Sequence, residues 1–218
     1  MSIDYLHEFI TLATIHFMAV VIPGPDFVIT VRQSIRHGRL AGIVTAIGIG
    51  AGISLHVLYT LIGVGALIHA TPWLLGTAKI VGGAYIVYLG INMLRSHASP
   101  IQSIPELATG DGRAAARVPA QSIRKAFWTG FLTNATNPKA TLFFLAIFTT
   151  VINPGTPMKI QILFGAWMCM VNALWFVFVS VFFTHPRTRR VFERMGPWFE
   201  RTMGAVLIVF AGKLMLSL

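Results

Sequence analysis

Acid is scarce in this chain. Asp and Glu together account for 7 of 218 residues, against 17 Lys and Arg, and all charged residues make up 11%. A soluble domain carries roughly 25%, so there is too little charge to solvate an ordinary globular surface. Cysteine is almost absent too. The single Cys169 excludes an intrachain disulfide and a thiolate metal cluster, and it reads as a small apolar residue inside a helix. The sequence has no Ser-His-Asp constellation, no metal-ligand cluster and no Walker loop. An intramembrane enzyme would need such a set, so no catalytic residue, cofactor or metal is expected.

Apolar residues are abundant. They make up 55% of the chain, against roughly 45–50% in soluble domains, and the mean hydropathy is +0.72. Composition therefore points to a compact polytopic membrane protein.

A membrane-crossing helix needs about 20 mostly apolar residues. Stretches free of Asp, Glu, Lys and Arg cover 9–25, 40–78, 80–94, 126–138, 140–158, 160–186 and 202–212. The second is too long for one crossing, since 39 residues would reach about 58 Å as helix. His69-Ala70-Thr71-Pro72 supplies its turn, because a residue before proline resists helix. Second and third spans are thus expected over about 41–66 and 73–94, with Lys79 snorkelling near the start of the third. A fourth, about 123–151, contains Lys139 and ends at the turn Asn153-Pro-Gly-Thr-Pro157; a fifth covers about 160–183 and a sixth about 199–217. Residues 1–30 read as the first span rather than a signal peptide, because the start is acidic (Asp4, Glu8) and no cleavage motif follows Val21. The expected fold is an all-α integral membrane protein with six transmembrane helices. The expected parts are a first three-helix repeat over 1–94, a cytoplasmic connector over 95–122 and a second repeat over 123–218.

The cations are not scattered. Thirteen of the 17 fall in loops after spans one, three and five: Arg32, Arg36 and Arg39; Arg95, Arg113, Arg117, Arg124 and Lys125; Arg187, Arg189, Arg190, Arg194 and Arg201. The positive-inside rule puts these loops in the cytoplasm and both termini outside. The formal charge of +10 is then a topology signal with room for contact to anionic lipid heads. It does not call for nucleic acid, since no aromatic-interleaved basic face accompanies it.

The two halves resemble each other. Residues 79–94 align with 201–216, matching Gly82, Ile86, Val87, Gly90, Met93 and Leu94 to Gly204, Ile208, Val209, Gly212, Met215 and Leu216. The first and fourth spans share a break, at Gly24-Pro25-Asp26 and at Asn137-Pro138-Lys139. Three spans per half is an odd number, so the halves are expected as inverted repeats, with helices 1 and 4 broken at Pro25 and Pro138. In such repeats, matched interrupted segments point to the binding site.

Pro25 and Pro138 each remove a backbone donor and restart a helix. Gly24 and Asn137 can act as N-caps with proline at the first helical position. Each restarted helix would turn its positive dipole end into the protein, where it suits a carboxylate. Asp26 falls in one first turn and Lys139 in the other. Favourable placement at a helix N-terminus would by itself account for Asp26, but the dipole disfavours Lys139 there. A pairing of Asp26 with Lys139 would account for both. His16 and His56 are candidates for carrying the coupling proton, or equally for hydrogen-bonded packing between helices. Asn134 shares a helix face with Asn137, and Asn172 reads as helix glue. Gly48-Ile-Gly50-Ala-Gly52 fits close helix packing rather than a nucleotide loop, because it lies in mid-membrane with no strand before it.

These residues carry a family resemblance. Pro23-Gly24-Pro25-Asp26, the span-two glycines Gly42, Gly48 and Gly52, Gly82-Gly-Ala-Tyr85 with Leu89-Gly90, and Gly130-Phe-Leu-Thr-Asn134-Ala-Thr-Asn137-Pro138-Lys139-Ala140 resemble the LysE/RhtB superfamily of small amino-acid exporters. The match covers nearly the whole chain outside the 95–125 connector. Ile15-His16, Ala19, Phe27, Arg189-Arg190 and Trp198 are most similar to its threonine-efflux branch. The resemblance implies an amino-acid transport protein of the bacterial inner membrane, an antiporter that exchanges threonine, homoserine or a similar amino acid for protons. Relatives in the superfamily export leucine, lysine, arginine or cysteine, which stay open as substrates, and a passive channel is the remaining alternative. Substrate contact is assigned to Gly24, Pro25, Asp26, Asn134, Asn137, Pro138 and Lys139, and proton coupling to Asp26, His16 and His56. The small size allows a homodimer packed through glycine faces.

Overall fold

The computed structural model describes residues 3–70, 72–95 and 121–183, together with His185, Trp198 and positions 201, 202, 204–206, 208, 209, 211 and 212. The connector expected over 95–122 lies almost wholly outside these residues. So do Arg113, Arg117, Arg187, Arg189, Arg190, Arg194 and the last five positions of the sixth span.

Seven helices are described in full: α1 (Ile3–Val21), α2 (Pro25–His37), α3 (Arg39–Ala70), α4 (Pro72–Leu94), α5 (Ile123–Ala135), α6 (Pro138–Thr150) and α7 (Met158–Phe183). The described positions between 201 and 212 are helical as well. Prolines mark the restarts. Pro25 and Pro138 each stand in the first turn of their helix, where the missing N–H costs nothing. Gly38 joins α2 to α3 at φ 89°, a left-handed conformation that glycine adopts freely.

Two helices among the described residues are long and apolar enough to cross a membrane alone, over Arg39–Gly63 and Met158–Phe183. The pair α1 and α2 passes the same test as one bent element, kinked by 53°. The shorter apolar runs Ile80–Asn92 and Pro138–Thr150 belong to α4 and α6. At 1.5 Å per residue the 13 residues of α6 extend about 20 Å, less than the roughly 30 Å of hydrocarbon.

Helix α3 is the hub, packed most extensively against α5 and α7. Small residues permit this. A Cβ placed on Gly130 would run into the Thr45 carbonyl, one on Gly48 into the Phe127 carbonyl, and one on Gly50 into Ala173 and the Cys169 carbonyl. The glycine run at 48–52 is thus a helix-packing surface. Thr45 Oγ1 also donates across to Ala126 O at 3.1 Å, and further along Gly52 lies against Asn134, so α3 and α5 run in the same direction. Gly42 meets Ser34 and Ser180, while Gly165 meets Val57, so α7 runs opposite to α3. Helix α1 follows α7 through the pairs Phe9–Phe164 and Phe17–Trp175. The two broken helices, α1–α2 and α5–α6, therefore run in opposite directions.

These registers give the bundle two distinct ends. At one end lie Arg36 and Arg39, with Arg124 and Lys125 beside them at the start of α5, all exposed. Ser180, near the end of α7, reaches the same place and donates to Arg39 O at 3.2 Å. At the other end Glu8 of α1 holds the turn before α7. Its carboxylate accepts from Asn153 N at 3.2 Å and from Thr156 Oγ1 at 3.0 and 2.7 Å. Both breaks lie between these ends.

Candidate functional site

The breaks are built differently. Asn137 caps α6 with its side chain, Oδ1 accepting from Lys139 N at 3.0 Å. The end of α5 is closed by Thr136 N donating to Leu132 O at 3.0 Å and Asn137 N donating to Asn134 O at 2.8 Å. The Asn134 carbonyl accepts again from His56 Nε2 at 2.9 Å, so the imidazole satisfies one of the orphan carbonyls of a helix C-terminus. His56 is fully buried, its other nitrogen meets the Tyr59 hydroxyl, and its ring stacks on Phe144. Gly24, by contrast, caps α2 in an extended conformation and offers no side chain.

Asp26 joins the two. Its Oδ2 accepts from Asn134 Nδ2 at 2.9 Å and from Asn137 Nδ2 at 3.3 Å. The carboxylate of one broken helix is thus gripped by two amides from the other. Lys139 lines the same cavity as Asp26. It also reaches the opposite break, where a Cβ placed on Gly24 would stand 3.7 Å from Nζ. Asp26 and Lys139 thus line one cavity, with the acid hydrogen-bonded to two amides.

Around these groups is a cavity of about 60 Å³, several times the roughly 10–15 Å³ that one water needs. Gly24, Pro25, Asp26, Asn134, Asn137, Lys139 and His16 all line it. Two residues named from the sequence do not. Pro138 is exposed and serves to restart α6, and His56 stands behind Asn134 as a brace. His16 is fully buried, and its Nε2 accepts from Asn172 Nδ2 at 2.9 Å.

Sequence reasoning missed several members. Phe27, Phe143, Phe144 and Phe176 form the apolar wall. Phe143 and Phe144 lie one to two turns after Pro138, where an inward-facing helix must present its core side. Tyr85 OH donates to Lys139 O at 3.2 Å, which its place in the Gly82–Tyr85 motif of α4 could have suggested.

One cavity thus brings together Asp26 of one broken helix with Asn134, Asn137 and Lys139 of the other. The model of the LysE type translocator family matches residues 17–218. The chain belongs to that family. LysE type translocators are transport proteins, which points away from an enzyme. Among its curated relatives are the uncharacterized membrane protein YahN of Escherichia coli (strain K12), 28% identical over 98% of this chain and 91% of its own length, and the threonine efflux proteins of E. coli (strain K12) and Salmonella typhi, 27% and 29% identical over 96% of this chain and 98% of theirs. No solved structure matches. Family and relatives agree with the apolar helices in describing a multi-pass membrane protein.

Proposed function

We propose that this LysE type translocator is a secondary exporter of small neutral amino acids, threonine or homoserine among them, driven by the proton gradient through alternating access. One observation carries the reading. Opposite charges, Asp26 and Lys139, meet in one cavity at the starts of α2 and α6, from helices that run in opposite directions. A zwitterion is complementary to that arrangement. Its ammonium would take the place of amide donors at Asp26, and its carboxylate would lie toward Lys139 and the positive ends of the two half-helices. The threonine efflux proteins among the relatives support the substrate class.

The remaining parts of the reading follow from the same frame. Six spans form two inverted repeats, residues 1–94 and 123–218, joined by 95–122. The opposite courses of α1–α2 and α5–α6 and the contact of Gly90 with Gly204 and Ile208 support this. The end bearing Arg36, Arg39, Arg124 and Lys125 faces the cytoplasm of a bacterial inner membrane, leaving both termini outside. Asp26 carries the coupling proton: protonation releases the ammonium, and deprotonation readmits it.

The test is counterflow in proteoliposomes with the twenty amino acids and homoserine, repeated with a proton gradient imposed. The expected result is exchange of threonine and homoserine, and uphill accumulation that stops when a protonophore is added. Exchange of lysine and arginine alone would overturn the substrate class. Accumulation indifferent to the protonophore would overturn the coupling.

A further inference from the structure

Three polar atoms on residues lining the cavity are buried and make no hydrogen bond among the described residues: Asp26 Oδ1, Asn134 Oδ1 and His16 Nδ1. Native proteins rarely leave such atoms unpaired, and each one asks for an explanation. The first two are acceptors and suit the ammonium of the amino acid already proposed. The third is different in kind.

The tautomer of His16 is fixed by its neighbour. Asn172 Nδ2 donates to His16 Nε2 at 2.9 Å, and the same nitrogen donates to Met168 O at 3.4 Å. The second bond orients the amide with nitrogen toward the ring. An imidazole that accepts at Nε2 carries its hydrogen on Nδ1, so the unpaired atom is a donor. The ring is held in place as well, fully buried with Phe143, Phe144 and Trp167 around it at centroid distances of 6.2, 6.1 and 5.7 Å.

An amino-acid backbone does not use this donor, since Lys139 and the half-helix ends already answer its carboxylate. We infer that His16, oriented by Asn172, reads the side chain of the substrate by donating from Nδ1 to an acceptor such as a hydroxyl oxygen. The inference rests on the amino-acid reading above and deepens it by naming the specificity residue. It gives His16 a task other than proton carriage. It also makes the site reject apolar side chains of equal shape, because these would leave a buried donor unpaired.

The test uses hydroxyl-for-methyl pairs, threonine against valine and homoserine against norvaline, in counterflow at a clamped pH without a gradient. The wild-type protein should prefer the hydroxyl member of at least one pair. In His16→Phe that preference should fall by roughly tenfold or more. Where His16→Phe does not reach the membrane, His16→Asn and His16→Gln decide. Asn places an amide nitrogen near the Nδ1 position and should keep more of the preference than Gln, which places it near Nε2. Asn172→Leu should lower the preference, because it leaves the tautomer unfixed. A His16 variant with the wild-type ratio but weaker uphill export would overturn the inference in favour of proton carriage. Equal ratios in His16→Asn and His16→Gln, or a wild-type protein that exchanges valine as readily as threonine and norvaline as readily as homoserine, would overturn it too. A wild-type protein that exchanges neither homoserine nor any of the twenty amino acids would instead remove the reading on which it rests.

Discussion

The two broken helices are alike in sequence and unlike in construction. At the second, Asn137 supplies a side-chain cap, the α5 end is closed by backbone hydrogen bonds, and His56 braces the Asn134 carbonyl. At the first, Ile22, Pro23 and Gly24 separate the half-helices, the cap is a bare glycine, and the axis turns by 53°. The braced break contributes amides and an ammonium, and the bare one contributes the acid. One half of the site is a scaffold, and the other presents a carboxylate whose strongest local ties are to that scaffold. On the proposed function, in which Asp26 exchanges amide donors for a substrate ammonium, the acid gains from having few bonds of its own.

That asymmetry can be broken in graded steps. Asp26→Asn should have the largest effect. Loss of a buried, hydrogen-bonded charge costs about 2–5 kcal/mol, so uphill export in proteoliposomes should fall at least about 30-fold, with threonine counterflow reduced as well. Asn137→Ala removes the α6 cap, worth about 0.5–2 kcal/mol, along with one donor to Asp26. Thermal unfolding in detergent should shift down, and export should fall together with it. His56→Leu keeps the volume and leaves the α5 carbonyl to a single donor. The expected loss is about 1 kcal/mol, seen as a lower melting temperature with uphill export retained; loss of proton coupling in this variant would assign His56 to proton carriage. Gly24→Asn should be the smallest, a gain of a few tenths of a kcal/mol from the added cap. Its Cβ has ordinary room beside Lys139 and an extended φ of −147°. A measurably slower turnover in this variant, at unchanged melting temperature, would show that the bare cap serves movement.

Much of this was legible in the sequence because its causes are local. Proline inside an apolar run needs a restart, and asparagine before it is a cap by chemistry, so both breaks could be placed to the residue. The glycine run of α3 was readable as a packing surface because nothing else explains small residues every few positions in mid-helix. What remained hidden is what joins distant segments. The amides that hold Asp26 lie 108 and 111 residues away, and the partner of His16 lies 156 residues away. No spacing rule connects such positions. Asn172 was visible as a polar residue in an apolar helix, but its partner was not. Glu8 was read only as part of an acidic start. That it clamps the Asn153–Pro157 turn could have been suspected from their expected placement on one face of the membrane, but not shown. The helix count met a different limit: residues 96–120 and the ends of the sixth segment are not described, and α5 and α6 are each too short to cross alone.

The packing of α3 against α5 has a mechanical consequence. Gly130 lies under the Thr45 carbonyl and Gly48 under that of Phe127, each helix fitting its backbone into the notch left by the other's missing side chain. Two backbones keyed together in this reciprocal way cannot slide or tilt past one another without collision. Helix α3 comes from the first half of the chain and α5 from the second, so any movement of one against the other would break this fit. On the proposed alternating access, the hinge line would therefore not follow the boundary between the two sequence halves. It would cut across them, between the keyed α3–α5 pair and the elements that carry Asp26.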